Sequence, residues 1–244
     1  MIERIRTRNG GVELVADVHE PSTSRTVVFL PTAGESRAVW APVTQAVGAR
    51  GWRTVAPDYR GHGESGRAAT YALEDFCDDT LEVVARLSDT PRVLVGGSIG
   101  GVIAMLLIGE GKVDAAGLVL VDIVAAPRHE AGQRERRKIA AALARDDPAT
   151  ASLDPRVREG GLAAEVIRQR ERITRAARAI DLPTLLLHGA RSHVIGAREL
   201  TDFAADFRRG EAMEVHGAGH LVARDQPAPV AEALTGFLQR LIPG

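Results

Sequence analysis

Short runs of apolar residues alternate along the chain with longer segments in which apolar residues recur every three or four positions. A run that is apolar throughout is typical of a strand buried on both faces of a parallel sheet, and the longer spacing is typical of a helix packed against that sheet. The short runs occupy 26–30, 54–56, 93–95, 118–121 and 184–187, and a last strand is predicted at 212–215. Helical spacing occurs at 40–50, 73–87 and 230–241, and an apolar helix is predicted at 99–108. The pattern predicts an α/β fold with a mostly parallel sheet that helices cover on both faces.

The first segment, residues 2–18, has a different pattern, because polar and apolar residues alternate along it. The alternation is interrupted at Asn9, Gly10 and Gly11, and such residues favour a tight turn between antiparallel strands. We therefore expect a β-hairpin at one edge of the sheet. With the six strands predicted above, the hairpin predicts a sheet of eight strands.

Residues 127–180 contain no apolar run and are rich in arginine, glutamate and alanine. We interpret them as a small helical cap inserted into a core formed by 1–126 and 181–244. A cap at this point would lie over the carboxyl ends of the strands, where open α/β sheets bind ligands. Its candidate lining residues, which could instead pack the cap onto the core, are Ile139, Leu143, Leu153, Val157 and Leu162. The charged stretches at 134–138 and 168–172 are typical of a solvated helix face.

The net charge of the chain is close to zero, because its 31 lysines and arginines nearly balance its 32 aspartates and glutamates. Such a chain gives no support to a nucleic-acid surface or a membrane partner, so we expect a small-molecule substrate. No apolar run approaches the roughly twenty residues that a membrane-spanning helix needs. The single cysteine, Cys77, and a polar amino terminus favour the cytoplasm. Without an activating motif nearby, Cys77 is interpreted as a buried, unreactive thiol.

The candidate chemistry centres on Ser98, which lies in the sequence GGSIGG at 96–101. An apolar strand precedes this sequence and an apolar helix follows it, which is the context of a nucleophile elbow. A serine at such a sharp turn needs bare neighbours, and Gly96 and Gly100 have no Cβ atom. The amino terminus of the helix also directs N–H groups to the place where negative charge would develop in acyl transfer.

A serine hydroxyl is a weak nucleophile and needs a base, and His220 is the best placed of the seven histidines. It lies in a loop between the last predicted strand and the closing helix, which would bring its imidazole to the carboxyl edge of the sheet. His188 ends an apolar strand and is interpreted as a buried, hydrogen-bonded histidine. His62 in a glycine-rich loop and His216 at a strand end have weaker claims.

Three pieces of the chain together resemble the α/β-hydrolase superfamily: the elbow at 96–100, the loop at 57–65 with its Arg-Gly-His-Gly sequence, and the histidine loop at 217–220. The resemblance covers nearly the whole chain outside the predicted cap. It is greatest to small bacterial esterases and cofactor-free haloperoxidase-like members. It implies the α/β-hydrolase fold and the order nucleophile, acid, histidine along the chain.

The expected oxyanion hole departs from the pattern of the family. Relatives commonly carry His-Gly after the third strand, where this chain has Pro31 and Thr32. The hole uses backbone N–H groups, however, and neither Ala33 nor Ile99 is a proline. The resemblance therefore implies that Ala33 and Ile99 are the two donors.

The expected acid departs from the family pattern as well. In most relatives it lies in the loop after the strand that here ends near His188, but residues 189–193 contain no carboxylate. Some relatives carry the acid after the preceding strand, and Asp122 occupies that position. We assign the acid to Asp122, with a strand-end cap as its alternative role. Under that alternative the site is a weakened dyad, or His193 has a role in the pocket.

These residues predict a serine hydrolase that cleaves a small or medium carboxylic ester, thioester or lactone, with Ser98, His220 and Asp122 as its triad. Two alternatives stay open. The same site could cleave a carbon–carbon bond or run cofactor-free chemistry on a ring substrate, or the fold could serve as a non-catalytic binding module. No cofactor or metal is expected, because the sequence has no zinc spacing, calcium loop or dinucleotide fingerprint. We expect a monomer or a homodimer.

Overall fold

The structure, a computed structural model, describes residues 2–20, 25–87, 92–126, 153–159 and 161–241. An eight-stranded sheet in the order β1-β2-β4-β3-β5-β6-β7-β8 forms its centre. The strands are β1 (Ile2–Asn9), β2 (Val12–His19), β3 (Thr26–Leu30), β4 (Arg53–Pro57), β5 (Arg92–Gly97), β6 (Gly117–Val121), β7 (Thr184–Gly189) and β8 (Gly210–Val215). β1 and β2 form the antiparallel hairpin, β2 is antiparallel to β4, and the other pairs are parallel. The predicted fold class is confirmed.

The helices connect these strands. They are α1 (Ala41–Gly48), α2 (Leu73–Ala85), α3 (Ile99–Gly109), α4 (Pro155–Glu159), α5 (Leu162–Arg168), α6 (Arg170–Ala179), α7 (Ala197–Asp206), α8 (Val222–Asp225) and α9 (Pro227–Leu241). A short 3₁₀ helix, Arg37–Trp40, precedes α1, because Pro42 favours the first turn of a new helix. Helix α7 was not predicted from the sequence. Within the described ranges, no helix has the length and apolar character needed to cross a membrane.

The parallel strands β3, β4, β5, β6 and β7 are buried on both faces, as their continuous apolar runs predict. The prediction of burial is wrong for β8, which lies at the edge of the sheet, pairs with β7 and is exposed except at Val215. On β3, Val28 and Leu30 belong to the core that contains residues of α2, α3 and α6. Val27 and Phe29 of the same strand belong to the core that contains residues of α1 and α9. Successive side chains of a strand point to opposite faces, so one apolar run supplies two cores. The resulting rigid sheet fixes the positions of the loops at its carboxyl edge.

The described part of the segment at 127–180 packs on the core. Ile173 and Ala177 of α6 lie in the same apolar cluster as α3. Glu165 of α5 accepts a hydrogen bond from the N–H of Leu73 at the start of α2, at 2.8 Å. Arg172 of α6 is held between carboxylates of α2 and the end of α3, instead of being fully solvated. The division into core and cap stays a prediction.

The five candidate lining residues divide into two groups. Val157 and Leu162 are buried in the main apolar core, and Leu153 packs against it. For these three, the structure favours the alternative of packing over that of lining a pocket. Ile139 and Leu143, like the charged stretch at 134–138, lie outside the described residues.

Candidate active site

Ser98 lies at the turn between β5 and α3, and its backbone is strained. Its φ of 48° is in the positive region that non-glycine residues rarely adopt. The N–H of Ser98 donates to the carbonyl of Val121 on β6 at 3.0 Å, which extends the strand ladder to the serine itself. A Cβ atom on Gly96 would collide with the backbone of Gly100, so a glycine is required for the helix to approach the strand this closely. The turn places Ser98 at the amino terminus of α3.

Asp122, the first residue after β6, shares both features with Ser98. Its φ is 55°, and within the described part of the chain these two are the only non-glycine residues with positive φ. Its N–H donates to the carbonyl of Leu187 on β7 at 2.8 Å. Residues held in such conformations concentrate at functional sites, because the surrounding structure must over-determine them. The backbone alone therefore marks two of the predicted site residues.

The carboxylate of the fully buried Asp122 accepts three hydrogen bonds. Oδ1 accepts from the N–H of Gly189 at 3.0 Å. Oδ2 accepts from Nδ1 of His220 at 2.7 Å and from the hydroxyl of Ser192 at 2.5 Å. Since an ionised carboxylate only accepts, Nδ1 of His220 carries the proton and Nε2 is the acceptor of the ring. A neutral imidazole in this tautomer can act as a general base.

His220 reaches Asp122 because the loop after β8 folds against the end of β7. The carbonyl of Gly219 lies so close to Gly189 that a Cβ atom there would collide with it. The N–H of Gly219 donates to Oδ2 of Asp225 at 2.7 Å, which links the histidine loop to α8. The predicted acid and the predicted histidine, 98 positions apart in sequence, are thereby in direct contact.

The predicted oxyanion donors belong to segments that lie side by side. The last residue of β3 pairs with Gly96 of β5, so the loop after β3 runs beside the elbow. Oγ1 of Thr32 is 2.9 Å from the position that a Cβ atom on Gly97 would take. Ala33 follows in that loop, and Ile99 is the first residue of α3. Both backbone N–H groups therefore belong to segments that meet at the serine.

His62 links this loop to the glycine-rich loop after β4, a contact that the sequence did not predict. Its Nε2 accepts the N–H of Gly34 at 2.9 Å, and its Nδ1 donates to the carbonyl of Arg60 at 2.9 Å. One accepted and one donated bond require a neutral ring. Burial, which disfavours the charged imidazolium, lowers the pKa of His62 from 6.5 to about 4. His62 therefore holds the loop of Ala33 as a neutral group.

Asp58 follows β4 and forms a buried ion pair with Arg37. Its Oδ1 accepts the backbone N–H of Arg37 at 2.7 Å, and its Oδ2 accepts from the Arg37 guanidinium and from the N–H of Glu64. Carboxylates of Asp17 and Glu64 also contact Arg37. Burial raises the pKa of Asp58, although its bonds from Arg37 and Glu64 oppose that rise. Asp58 is neutralised by a cation and is thus unavailable to a histidine.

The other titratable candidates lie outside this constellation. Cys77 is buried on α2, and burial raises the pKa of its thiol from 9.0 to about 12, in agreement with an unreactive role. His188 is buried at the end of β7, whereas His193 is exposed. The imidazole of His216 is largely exposed and contacts Glu214 at 3.2 Å. No group of histidine, cysteine, aspartate and glutamate among the described positions could hold a metal ion.

Comparison with known proteins shows the family of this chain. The model of the Alpha/beta hydrolase family matches residues 27–233, which include the elbow, Asp122 and the histidine loop. The chain belongs to this family. The resemblance inferred from the elbow, the glycine-rich loop and the histidine loop is confirmed at that level. Individual members of the family are similar to this α/β hydrolase over part or all of its length.

Two curated relatives match part of the chain. A candidate carbamate hydrolase, RutD of Variovorax paradoxus, is 34% identical over 114 residues, which are 46% of this chain and 42% of that protein. The 3-oxoadipate enol-lactonase 1 of Acinetobacter baylyi is 28% identical over 101 residues, 41% of this chain and 38% of that protein. The chain thus spans about two fifths of the length of these relatives.

A solved structure matches the α/β hydrolase over almost its whole length. The thermophilic esterase from Thermogutta terrifontis has a TM-score of 0.74 and 22% identity, with 98% of this chain and 99% of that chain covered. At this identity the likeness establishes the fold alone, since one fold carries many chemistries.

Sequence reasoning about this α/β hydrolase missed Ser192, although it examined the loop in which Ser192 lies. That loop was searched for a carboxylate, and none is present. The signal that could have revealed Ser192 is a short hydroxyl side chain at the place where a carboxylate was expected, because a hydroxyl can donate to an acid on the neighbouring strand. Arg37 and the bond from His62 to Gly34 left no comparable signal.

Proposed function

We propose that this α/β hydrolase is a serine hydrolase that cleaves a small or medium carboxylic ester, thioester or lactone through an acyl-enzyme. The observation that carries the proposal is the 2.7 Å bond between Nδ1 of His220 and the fully buried carboxylate of Asp122. This bond fixes the tautomer in which Nε2 accepts a proton. The strained backbone of Ser98 supports its assignment as the nucleophile.

In the first half of the reaction, Oγ of Ser98 attacks the carbonyl carbon while Nε2 of His220 takes the hydroxyl proton. The carbonyl oxygen becomes an oxyanion that accepts hydrogen bonds from the N–H groups of Ala33 and Ile99. Asp122 stabilises the imidazolium without itself taking a proton. The intermediate collapses as the alcohol, thiol or lactone oxygen leaves with the proton of His220, and the acyl group stays on Ser98.

In the second half, water attacks the acyl carbon, and Nε2 of His220 takes a proton from that water. The second tetrahedral intermediate uses the same two N–H donors. Its collapse breaks the bond to Oγ of Ser98, which recovers its proton from His220 while the carboxylic acid leaves. Every proton in the cycle passes through Nε2, so the fixed tautomer of His220 matters in both halves.

The names of the relatives agree with acyl chemistry, because one refers to a carbamate and the other to an enol-lactone. Both substrates have an acyl carbon bonded to a heteroatom, which is the bond that the proposed mechanism breaks.

The proposal is tested with a fluorophosphonate probe, which phosphonylates an activated serine with loss of fluoride. We expect one adduct by intact-protein mass, located on residue 98 by peptide mapping. Ser98→Ala should abolish the adduct, and His220→Ala should slow its formation strongly because the base is lost. A panel of nitrophenyl esters, a thioester and a lactone then defines the substrate class.

Two results would contradict the proposal. One is the absence of any adduct on the unaltered chain under conditions in which a known serine hydrolase labels completely. That result would favour a non-catalytic binding module. The other is an adduct that persists in Ser98→Ala. Labelling at Ser98 without turnover of any ester, thioester or lactone would instead favour carbon–carbon or ring chemistry at the same site.

A further inference from the structure

Ser192 lies in the loop after β7 and shares an acceptor atom with His220. Its hydroxyl is 2.5 Å from Oδ2 of Asp122, and Nδ1 of His220 is 2.7 Å from that same oxygen. The other carboxylate oxygen, Oδ1, accepts from the N–H of Gly189 at 3.0 Å. Ser192 therefore donates to the same carboxylate oxygen that accepts the hydrogen bond from His220.

The direction of the Ser192 hydroxyl is set by its own surroundings. The N–H of Val194 donates to Oγ of Ser192 at 3.1 Å, which occupies an acceptor site of the hydroxyl. The N–H of Ser192 donates to the carbonyl of Gly189 at 2.9 Å and closes the turn that carries the side chain. With one lone pair engaged and the turn closed, the hydroxyl proton is directed to Asp122.

A buried carboxylate needs such donors, because a charge removed from water is costly unless it is compensated. The other aspartates buried to a similar degree in the described structure, Asp58, Asp79, Asp154 and Asp206, each contact an arginine. Among the residues that the structure describes, no arginine or lysine contacts Asp122, which relies on neutral donors and His220. The bond from the Ser192 hydroxyl is the shortest of the three hydrogen bonds that Asp122 accepts from Gly189, Ser192 and His220.

We propose that Ser192 is a positioning residue of the active site. It fixes the rotation of the Asp122 carboxylate so that Oδ2 stays aligned with Nδ1 of His220. Without the hydroxyl, the carboxylate loses a charge-assisted bond on the oxygen that orients the base. The inference rests on the proposed function, since it assigns Ser192 to the triad that this function uses.

The experiment compares Ser192→Ala, Ser192→Thr and a matched control in the full-length chain. Thr7 donates a hydrogen bond to Glu82 of the same length, 2.5 Å, so Thr7→Val removes a comparable hydroxyl-to-carboxylate bond in another part of the molecule. Fluorophosphonate labelling rates should fall about tenfold or more in Ser192→Ala, recover largely in Ser192→Thr and stay unchanged in Thr7→Val. Thermal unfolding shows that each variant is folded.

A second readout does not depend on reactivity. The proton between Nδ1 of His220 and Asp122 should give a far-downfield proton resonance, assigned by its loss in Asp122→Asn. Ser192→Ala should shift or broaden that resonance, whereas Thr7→Val should leave it in place. A purely structural role of Ser192 in its loop would lower the melting temperature without moving the resonance of a folded protein.

The inference is overturned if Ser192→Ala labels at the unaltered rate with an unmoved resonance, or if Ser192→Thr behaves like Ser192→Ala. Failure of the proposed function gives a different pattern. In that case the unaltered chain does not label at all, yet the resonance still shifts in Ser192→Ala, because the hydrogen bond exists without the chemistry.

Discussion

Two aspartates occupy equivalent places in the sheet and differ in what surrounds them. Asp58 follows β4 and Asp122 follows β6, so both lie at the carboxyl edge, and their exposed fractions are 1% and 0%. Asp58 contacts the guanidinium of Arg37. Asp122 contacts Gly189, Ser192 and His220 instead.

Under the proposed function, the difference separates a buried carboxylate that stabilises the fold from one that takes part in the reaction. A full positive charge beside Asp58 neutralises it and fixes the glycine-rich loop, which leaves no negative charge to stabilise another cation. The neutral donors around Asp122 orient the carboxylate while its charge stays available to an imidazolium. Burial alone therefore does not distinguish the two, and the nature of the partners does.

The largest expected effect comes from exchanging each carboxylate for its amide. Asp122→Asn should lower the fluorophosphonate labelling rate by about 10⁴-fold, because the amide favours the wrong tautomer of His220. Its unfolding free energy should change little, since active-site residues are seldom optimised for stability. Asp58→Asn should lower the unfolding free energy by about 3 kcal/mol, because Arg37 loses its one fully buried carboxylate partner and keeps only the more exposed Asp17 and Glu64. Denaturant unfolding and probe labelling of both variants are the measurements.

The comparison fails if the two variants behave alike. Equal loss of labelling in folded Asp58→Asn would mean that the ion pair takes part in catalysis. Equal loss of stability in Asp122→Asn would mean that the hydrogen bonds of Asp122 serve the fold. Labelling is measured at a temperature where circular dichroism shows both variants to be folded.

A smaller effect concerns His62, the neutral group between the two regions. Burial lowers its pKa to about 4 in the folded chain, from an ordinary 6.5. Between these values the unfolded chain binds the extra proton, so this stability is present above pH 6.5 and is lost as the pH falls toward 4. From pH 7 to pH 5 the loss should be about 2 kcal/mol from this group.

His62→Gln is the control, because glutamine does not titrate in this range. The unfolding free energies of both proteins are measured by denaturant titration at several pH values between 7 and 5. The unaltered chain should show the steeper fall. Parallel curves would mean that His62 has the same pKa in the folded and the unfolded chain, so that the folded ring takes up a proton between pH 7 and 5, which its acceptance of the Gly34 N–H does not allow.

The smallest effect is expected at Arg4, because its partners Asp17 and Glu64, which also contact Arg37, are exposed to water. Arg4 contacts Glu64 at 2.8 Å and Asp17 at 3.2 Å, and all three side chains are substantially exposed. Arg4→Ala should change the unfolding free energy by less than about 1 kcal/mol, because water and salt screen exposed ion pairs. Denaturant unfolding at low and high salt measures it. If Arg4→Ala lowered the unfolding free energy as much as Asp58→Asn does, the buried Asp58–Arg37 pair would depend on the exposed ion pairs of Arg4.

Local patterns in the sequence determined the elements of this protein and several candidate residues. Apolar runs and helical spacing predicted the sheet and most helices, because the periodicity of side-chain burial is a local property. Bare glycines around Ser98 predicted the elbow for the same reason, since steric room at a turn depends on neighbours in the chain. Helix α7 was overlooked, and the boundaries of others shifted by a few residues.

Only the tertiary structure decided which polar groups meet. Asp122 contacts Ser192, 70 positions away, and His220, 98 positions away, because β6, β7 and β8 are adjacent in the sheet. Strand order and the path of each loop are non-local, so no periodicity in the sequence encodes these contacts. The same reason explains why the Arg37 partner of Asp58 and the bond from His62 were absent from the sequence interpretation. Packing of the strands and loops thus brings Ser192 and His220 to one oxygen of Asp122, and it brings Arg37 to Asp58.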